Sequence, residues 1–204
     1  MDPRLKHPFT CIIAGSSGCG KTQFVLNLVK NIESLIHPIP QKIIWFYSEW
    51  QDEYNKVNAE FNESIPKLCD IDKDTPKLMI IDDLMGKCDD ILLQLFTKIS
   101  HHRNLSVIYI TQNLFNKSKE NRTINLNASY LVLFKSPRDS SSIIHLSKQI
   151  YPGKNKILQE AFHDATSKSY GYLLIDLKPE TPDLIRLRTN IFVETYQDVY
   201  VPRI

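Results

Sequence analysis

The 204-residue sequence predicts an α/β fold in three layers, α/β/α, around a mainly parallel central sheet. Three observations lead there. Continuously apolar runs of strand length alternate with segments whose apolar residues recur at helical spacing, as expected for a sheet covered on both faces. A glycine-rich octapeptide, Gly15-Ser16-Ser17-Gly18-Cys19-Gly20-Lys21-Thr22, separates the first apolar run from the first helical segment. A third apolar run, Lys77-Leu78-Met79-Ile80-Ile81-Asp82-Asp83, ends on two adjacent carboxylates.

In chain order, Phe9–Ala14 is short, apolar and partly β-branched, which predicts a buried strand. Gln23–Lys30 places Phe24, Val25, Leu28 and Val29 on one side of a helix, which stops at His37-Pro38-Ile39-Pro40. Lys42–Ser48 is rich in β-formers and reads as the second strand, and the polar, mixed segment 49–75 as a helix or loop excursion over the surface. The Lys77–Asp83 strand precedes a helix over Ile91–Ile99. Leu105–Thr111 and Tyr130–Phe134 are the fourth and fifth strands, and helices follow over Ser140–Gln149 and Lys154–Thr166. Tyr170–Asp176 and Leu184–Arg188, joined through Pro179 and Pro182, predict an antiparallel hairpin extending one edge of the sheet. Length and continuity argue for one domain over 1–204, with a core of about 9–139 and the C-terminal helices and hairpin over 140–204.

The octapeptide fits G-x-x-x-x-G-K-[ST], the phosphate-cradling P-loop, and stands where that loop must stand, between a strand and a helix. The chemistry is electrostatic. A helix N-terminus offers unpaired N–H groups and about half a positive charge to a polyanion. Gly15, Gly18 and Gly20 let the backbone curl around phosphate. Gly15 through Thr22 thus form the candidate nucleotide cradle, with Lys21 reaching the β- and γ-phosphates and Thr22 offering its hydroxyl to Mg²⁺.

The bulk numbers bound the remaining classes. A formal net charge of +2 advertises no polyelectrolyte field, which leaves a local basic stripe for nucleic acid open. Cys11, Cys19, Cys69 and Cys88 show neither C-x-x-C pairing nor metal-like spacing with the six histidines, and read as free thiols of a reducing compartment. The N-terminus lacks an apolar signal region, and no stretch reaches the length of a membrane span. The expectation is a soluble, intracellular protein without a membrane partner.

An apolar strand ending in Asp matches the Walker B element, in which Asp82 orients Mg²⁺. Asp83 is then either the base that polarises water for attack on the γ-phosphate or a cap of the following turn. Adjacent strand side chains point to opposite faces, so the first role needs a twist at the strand end. Thr111-Gln112-Asn113 closes the fourth strand, and ligands of parallel sheets bind at the carboxyl ends of strands. Gln112 is accordingly a γ-phosphate sensor or a solvent-facing amide. A further cation is needed for transition-state charge, and Arg103, Arg122 and Arg138, each near a strand end, are the candidates for an arginine finger. His101 and His102 have no spaced metal partners and read as surface or helix-end residues.

Together, Gly15–Thr22, Leu78–Asp83 and His102-Arg103-Asn104-Leu105-Ser106 leading into Ile110-Thr111-Gln112 resemble the HerA/FtsK-type DNA-packaging ATPases. Within them the sequence is most similar to the poxvirus-like branch found in large DNA viruses, virophages, Polinton/Maverick and adintovirus-like elements. The resemblance runs from about Phe9 to Asp139. It implies a P-loop NTPase that binds ATP and Mg²⁺ and drives double-stranded DNA into a capsid as a homo-oligomeric ring docked on a capsid or portal-like protein. It also implies a place in the nucleus, a cytoplasmic virus factory or the virion. It assigns phosphate binding to Lys21, the metal to Thr22 and Asp82, the base to Asp83, the sensor to Gln112, and a trans-acting finger to Arg103 first. Asp83 departs from the wider superclade, many of whose members carry Glu there.

Two other classes share the loop. A nucleoside or nucleotide kinase would need an arginine-rich lid and an acceptor pocket, and no such cluster is visible. A non-hydrolysing NTP-binding switch would need neither Asp83 nor Gln112. Lys117-Ser118-Lys119-Glu120-Asn121-Arg122 reads either as a DNA-contacting loop or as an exposed polar connection.

Overall fold

The computed structural model of the chain describes residues 2–65, 71–72, 74–82, 89–99, 103–114, 119–193 and 197–201. The first apolar run forms strand β2 (Thr10–Ala14), every residue of it buried. Helix α1 (Lys21–Lys30) follows the glycine loop and turns Phe24, Val25, Leu26, Leu28 and Val29 inward. A one-turn helix, α2 (Ile32–Leu35), leads into β3 (Ile36–His37), which pairs in parallel with β1 (Leu5–Lys6) as a separate two-stranded ribbon.

The main sheet adds β4 (Lys42–Tyr47), β5 (Glu60–Asn62), β6 (Lys77–Asp82), β7 (Leu105–Thr111), β8 (Tyr130–Phe134), β9 (Tyr172–Asp176), β10 (Leu187–Thr189) and β11 (Asp198–Val199). Its spatial order is β11-β10-β9-β8-β2-β7-β6-β4-β5. The stretch from β8 to β5 is parallel throughout, while β9, β10 and β11 add antiparallel strands beyond β8. The predicted mainly parallel sheet with an antiparallel extension of one edge is what forms. All the parallel strands point their carboxyl ends to one edge, and the loop of interest leaves that edge from β2, at mid-sheet.

Strand alternation divides the core in two. One face of the sheet, with Ile12, Met79, Ile81, Val107, Tyr109, Leu131 and Leu133, packs under α3 (Asp89–Gln94), α4 (Lys119–Leu126), α5 (Ser140–Ile150) and α6 (Lys156–Ala165). The other, with Cys11, Ile13, Leu78, Ile80, Ile108, Ile110, Val132 and Phe134, packs under α1. The period of two in β6 puts Asp82 on the same face as Leu78 and Ile80, and therefore toward α1.

Four details differ from the sequence reading. The 49–75 excursion contains a 3₁₀ turn (Asp52–Lys56) and the edge strand β5, which pairs in parallel with β4 from Ile44↔Glu60 to Phe46↔Asn62. Three residues of half-polar strand carry too little alternation to be read from sequence. Lys119–Arg122 is not a loop but the start of α4, whose buried anchor is Ile124; Lys117 and Ser118 lie outside the described residues. In the hairpin, Leu184 and Ile185 form a 3₁₀ turn and the strand itself is Leu187–Thr189. Finally, the Ile91–Ile99 helix changes from α-helical to π-helical geometry at Leu95.

Candidate active site

The glycine loop is held by its neighbours before any ligand arrives. Gly15 N–H donates to Thr111 O at 3.4 Å, tying the loop to β7, and Ser16 Oγ donates to Lys135 O at 3.2 Å, tying it to the segment after β8. A Cβ added at Gly15 would lie 2.6 Å from Phe134 Cβ and 2.8 Å from Cys19 Sγ, so only glycine fits that close approach. Gly18 and Gly20 have φ of 73° and 102°, in the left-handed region where glycine carries no Cβ penalty. Lys21 is buried, and its Nζ donates to Gly15 O at 2.7 Å and Ser16 O at 2.9 Å. The ammonium thus sits inside the loop's curl, fixed by the loop's own carbonyls. Burial raises the Cys19 thiol pKa above its ordinary value despite the nearby Lys21 charge, so this cysteine is a neutral filler of the loop.

Across from the loop, Thr22 Oγ1 donates to Asp82 Oδ2 at 3.4 Å, and Tyr54 Oη donates to the same oxygen at 3.0 Å. Tyr54 is buried. Burial first, and the Asp82 carboxylate second, push its phenol far above the usual value, so it stays a donor at any physiological pH. Its ring stacks on Phe61 of β5, with centroids 5.3 Å apart and planes 18° apart, and lies 5.0 Å from Trp45 of β4. The edge strand absent from the sequence reading is therefore the wall that aims Tyr54 at Asp82.

A cleft of 370 Å³ opens at the carboxyl edge of the sheet between these groups, lined among others by Gly20, Lys21, Thr22, Asp82, Gln112 and Glu53. Thr111 Oγ1 accepts from Asn113 N–H at 3.3 Å and so turns the chain at the end of β7, where Gln112 lies exposed on the cleft. Fold and loop thus gather Ser17, Gly18, Gly20, Lys21, Thr22, Asp82 and Gln112 about one space. Asp83 lies outside the described residues. Sequence reasoning missed Tyr54 and Glu53, which sit in a polar segment without periodicity; only their place just after a core strand connects them to the site.

The arginine candidates separate. Arg103 stands before β7, at the opposite end of a seven-residue strand and so about 20 Å from the cleft. Its Nη1 donates to Ile71 O at 2.7 Å. Arg122 is on α4 and borders a different hollow, shared with His145 and Arg186. Arg138 is exposed just after β8, on the same edge as the loop.

A hydroxyl and a carboxylate converging beside a loop that cradles phosphate form a set of hard oxygen donors, which suits Mg²⁺. That ion commonly takes one or two protein ligands together with phosphate oxygens.

Among solved structures, the chain is similar to the genome packaging NTPase B204 of Sulfolobus turreted icosahedral virus 2, determined in complex with ATP-gammaS. The match has a TM-score of 0.53 and 17% identity and covers 99% of each chain, so the two share a fold from end to end. The N-terminal domain of zonular occludens toxin from Neisseria meningitidis matches more loosely. It covers 66% of this chain and 80% of its own at a TM-score of 0.37 and 14% identity, and bears no weight here. None of the curated proteins matches the chain. The Poxvirus A32 protein family matches residues 2–176, most of the chain. This chain belongs to the poxvirus A32 protein family.

Proposed function

We propose that the chain is a viral genome-packaging ATPase, an ATP-hydrolysing motor that drives double-stranded DNA into a capsid. The observation that carries this reading is the convergence of Lys21, Thr22, Asp82 and Gln112 on one cleft at the carboxyl edge of a parallel sheet, in a chain of the A32 family. The B204 packaging NTPase, whose fold it shares, was solved with ATP-gammaS, which supports ATP as the nucleotide.

In this mechanism the Gly15–Thr22 loop cradles the phosphates, with the N–H groups at the start of α1 facing them. Lys21 leaves the carbonyls of Gly15 and Ser16 for the β- and γ-phosphate oxygens. Thr22 and Asp82 would hold Mg²⁺, which would supply charge neutralisation to the phosphates. Tyr54 keeps the Asp82 carboxylate in place. Asp83 takes the proton of the attacking water, and Gln112 orients that water and registers loss of the γ-phosphate. Arg103 is too far from its own cleft to act there, so as a finger it serves only a neighbouring subunit of a homo-oligomeric ring; Arg138 is the alternative on the cleft's own edge. The nine-stranded sheet runs through both the core and the C-terminal segment, which supports a single domain over 1–204. Among the described residues no helix is long and apolar enough to cross a membrane. The motor meets DNA and a capsid or portal-like protein in the nucleus, a virus factory or the virion.

The test is the ATPase rate with and without double-stranded DNA. Stimulation that fades steeply between low and high salt is expected of a protein that tracks the phosphate backbone. A rate indifferent to DNA at every salt concentration overturns the motor and leaves a P-loop enzyme of another kind.

A further inference from the structure

We propose that Tyr170 is the platform on which the base of the bound nucleotide stacks, an assignment that rests on the nucleotide reading of the cleft. The phosphate end of that cleft is oriented. Asp82 and Gln112 stand on β6 and at the end of β7, to one side of the loop strand β2. With the γ-phosphate and metal on that side, the nucleoside must leave toward the other, over β8 and β9. Tyr170 is there, between α6 and β9. A Cβ built on Gly20 would lie 3.1 Å from Tyr170 Cδ1 and 3.5 Å from its Cβ, so the tyrosine lies against the loop backbone one residue before Lys21.

Two further facts make this tyrosine unusual. It is 71% exposed, the most exposed of the large hydrophobic side chains among the described residues. Its φ is 61°, a left-handed conformation that strains a non-glycine residue. Packing does not offset that strain, because most of the ring is in solvent. The turn that imposes it is nevertheless closely built. Gly171 N–H donates to Lys168 O at 3.1 Å, and a Cβ on Gly171 would stand 2.3 Å from Ala165 O. The next residue, Tyr172, is buried with its ring 4.7 Å from Phe24 in the first turn of α1. The backbone that carries the exposed ring is therefore fixed on either side of Tyr170, and the ring stands beside the loop at Gly20, as a stacking surface requires. Stacking uses the face that every base has, so it supplies affinity with little dependence on the base's hydrogen-bonding edge.

The experiment compares binding of ATP and of inorganic tripolyphosphate, both with Mg²⁺, by calorimetry on the wild type and on Tyr170→Ala, Tyr170→Gly and Tyr170→Phe. Tyr170→Gly suits the left-handed backbone and so removes the ring with the fold least disturbed. Loss of the ring is expected to weaken ATP about tenfold while leaving tripolyphosphate within twofold, and Tyr170→Phe to bind both as the wild type does. ATP affinity unchanged in the alanine and glycine variants overturns the platform, as does an equal loss for both ligands, which would mean a disturbed loop. Wild-type protein that binds neither ligand overturns the nucleotide reading, and this proposal with it.

Discussion

The two sides of the phosphate loop are built on opposite plans. Toward β6 and β7 the site is cross-bonded: Thr22, Tyr54 and Asp82 share hydrogen bonds, and the aromatic wall of Trp45, Tyr54 and Phe61 stands behind them. Toward β8 and β9 the loop meets a solvent-exposed ring on a strained turn. The contrast follows from what each side must do. Charge stabilisation gains from low dielectric and preset donors, and on this side Lys21, Tyr54 and Asp82 are buried and hydrogen-bonded. A base that enters and leaves at every turnover needs an open surface instead.

That comparison breaks first at Lys21. Lys21→Ala removes the one loop cation inside the curl and is expected to lower ATP hydrolysis by roughly 10²-fold or more. The Gly15 carbonyl it releases is buried and loses its Lys21 partner, so stability should also fall, by about 1–3 kcal/mol. Rate and thermal midpoint measured on the same preparation check both halves; hydrolysis that persists removes the loop from the mechanism. Asp83→Asn comes next. It keeps size and removes the proposed base, so ATP should bind within twofold of the wild type while turnover falls by about 10²-fold. An Asp83→Asn enzyme that still turns over returns Asp83 to the role of a turn cap.

The same contrast explains which parts of the site could be read from the sequence. The loop, Asp82 and Gln112 were legible because each sits at the end of a strongly patterned strand, where one local motif carries both place and chemistry. The antiparallel extension was legible too, from two apolar runs and their prolines. Tyr54 was not, because its bond to Asp82 joins residues 28 apart, and the strand that aims it, Glu60–Asn62, is short and half polar. α4 escaped for a similar reason: among Lys119–Leu126 only Ile124 is buried, so the segment reads as polar chain. Tyr170 reaches Gly20 across 150 positions through the turn of the C-terminal helices, a contact that no local pattern announces.

Tyr54 sharpens the cross-bonded side. Its hydroxyl fixes the carboxylate without touching substrate, so Tyr54→Phe should raise the Mg²⁺ concentration needed for half-maximal ATP binding about tenfold, as the loss of a partner behind a metal ligand commonly does. Binding of ATP without Mg²⁺ should stay as it was, which separates positioning of Asp82 from a general loosening of the wall. A Mg²⁺ titration that superimposes on the wild type would leave Tyr54 as core packing only.

Glu53 tests the rim of the cleft, where the smallest effect is expected. It is exposed on the 3₁₀ turn one residue before Tyr54 and lines the cleft opposite the loop. A carboxylate there repels a triphosphate through water, so Glu53→Gln should tighten ATP binding by about twofold at low ionic strength. The gain should vanish in half-molar salt, where the Debye length falls to a few ångströms. Turnover should stay within threefold, because the proposed base is Asp83. If Glu53→Gln instead abolishes turnover while ATP still binds, the water is polarised from the β4–β5 connection, and the hydrolytic carboxylate belongs to the wall that aims Tyr54 rather than to the end of β6.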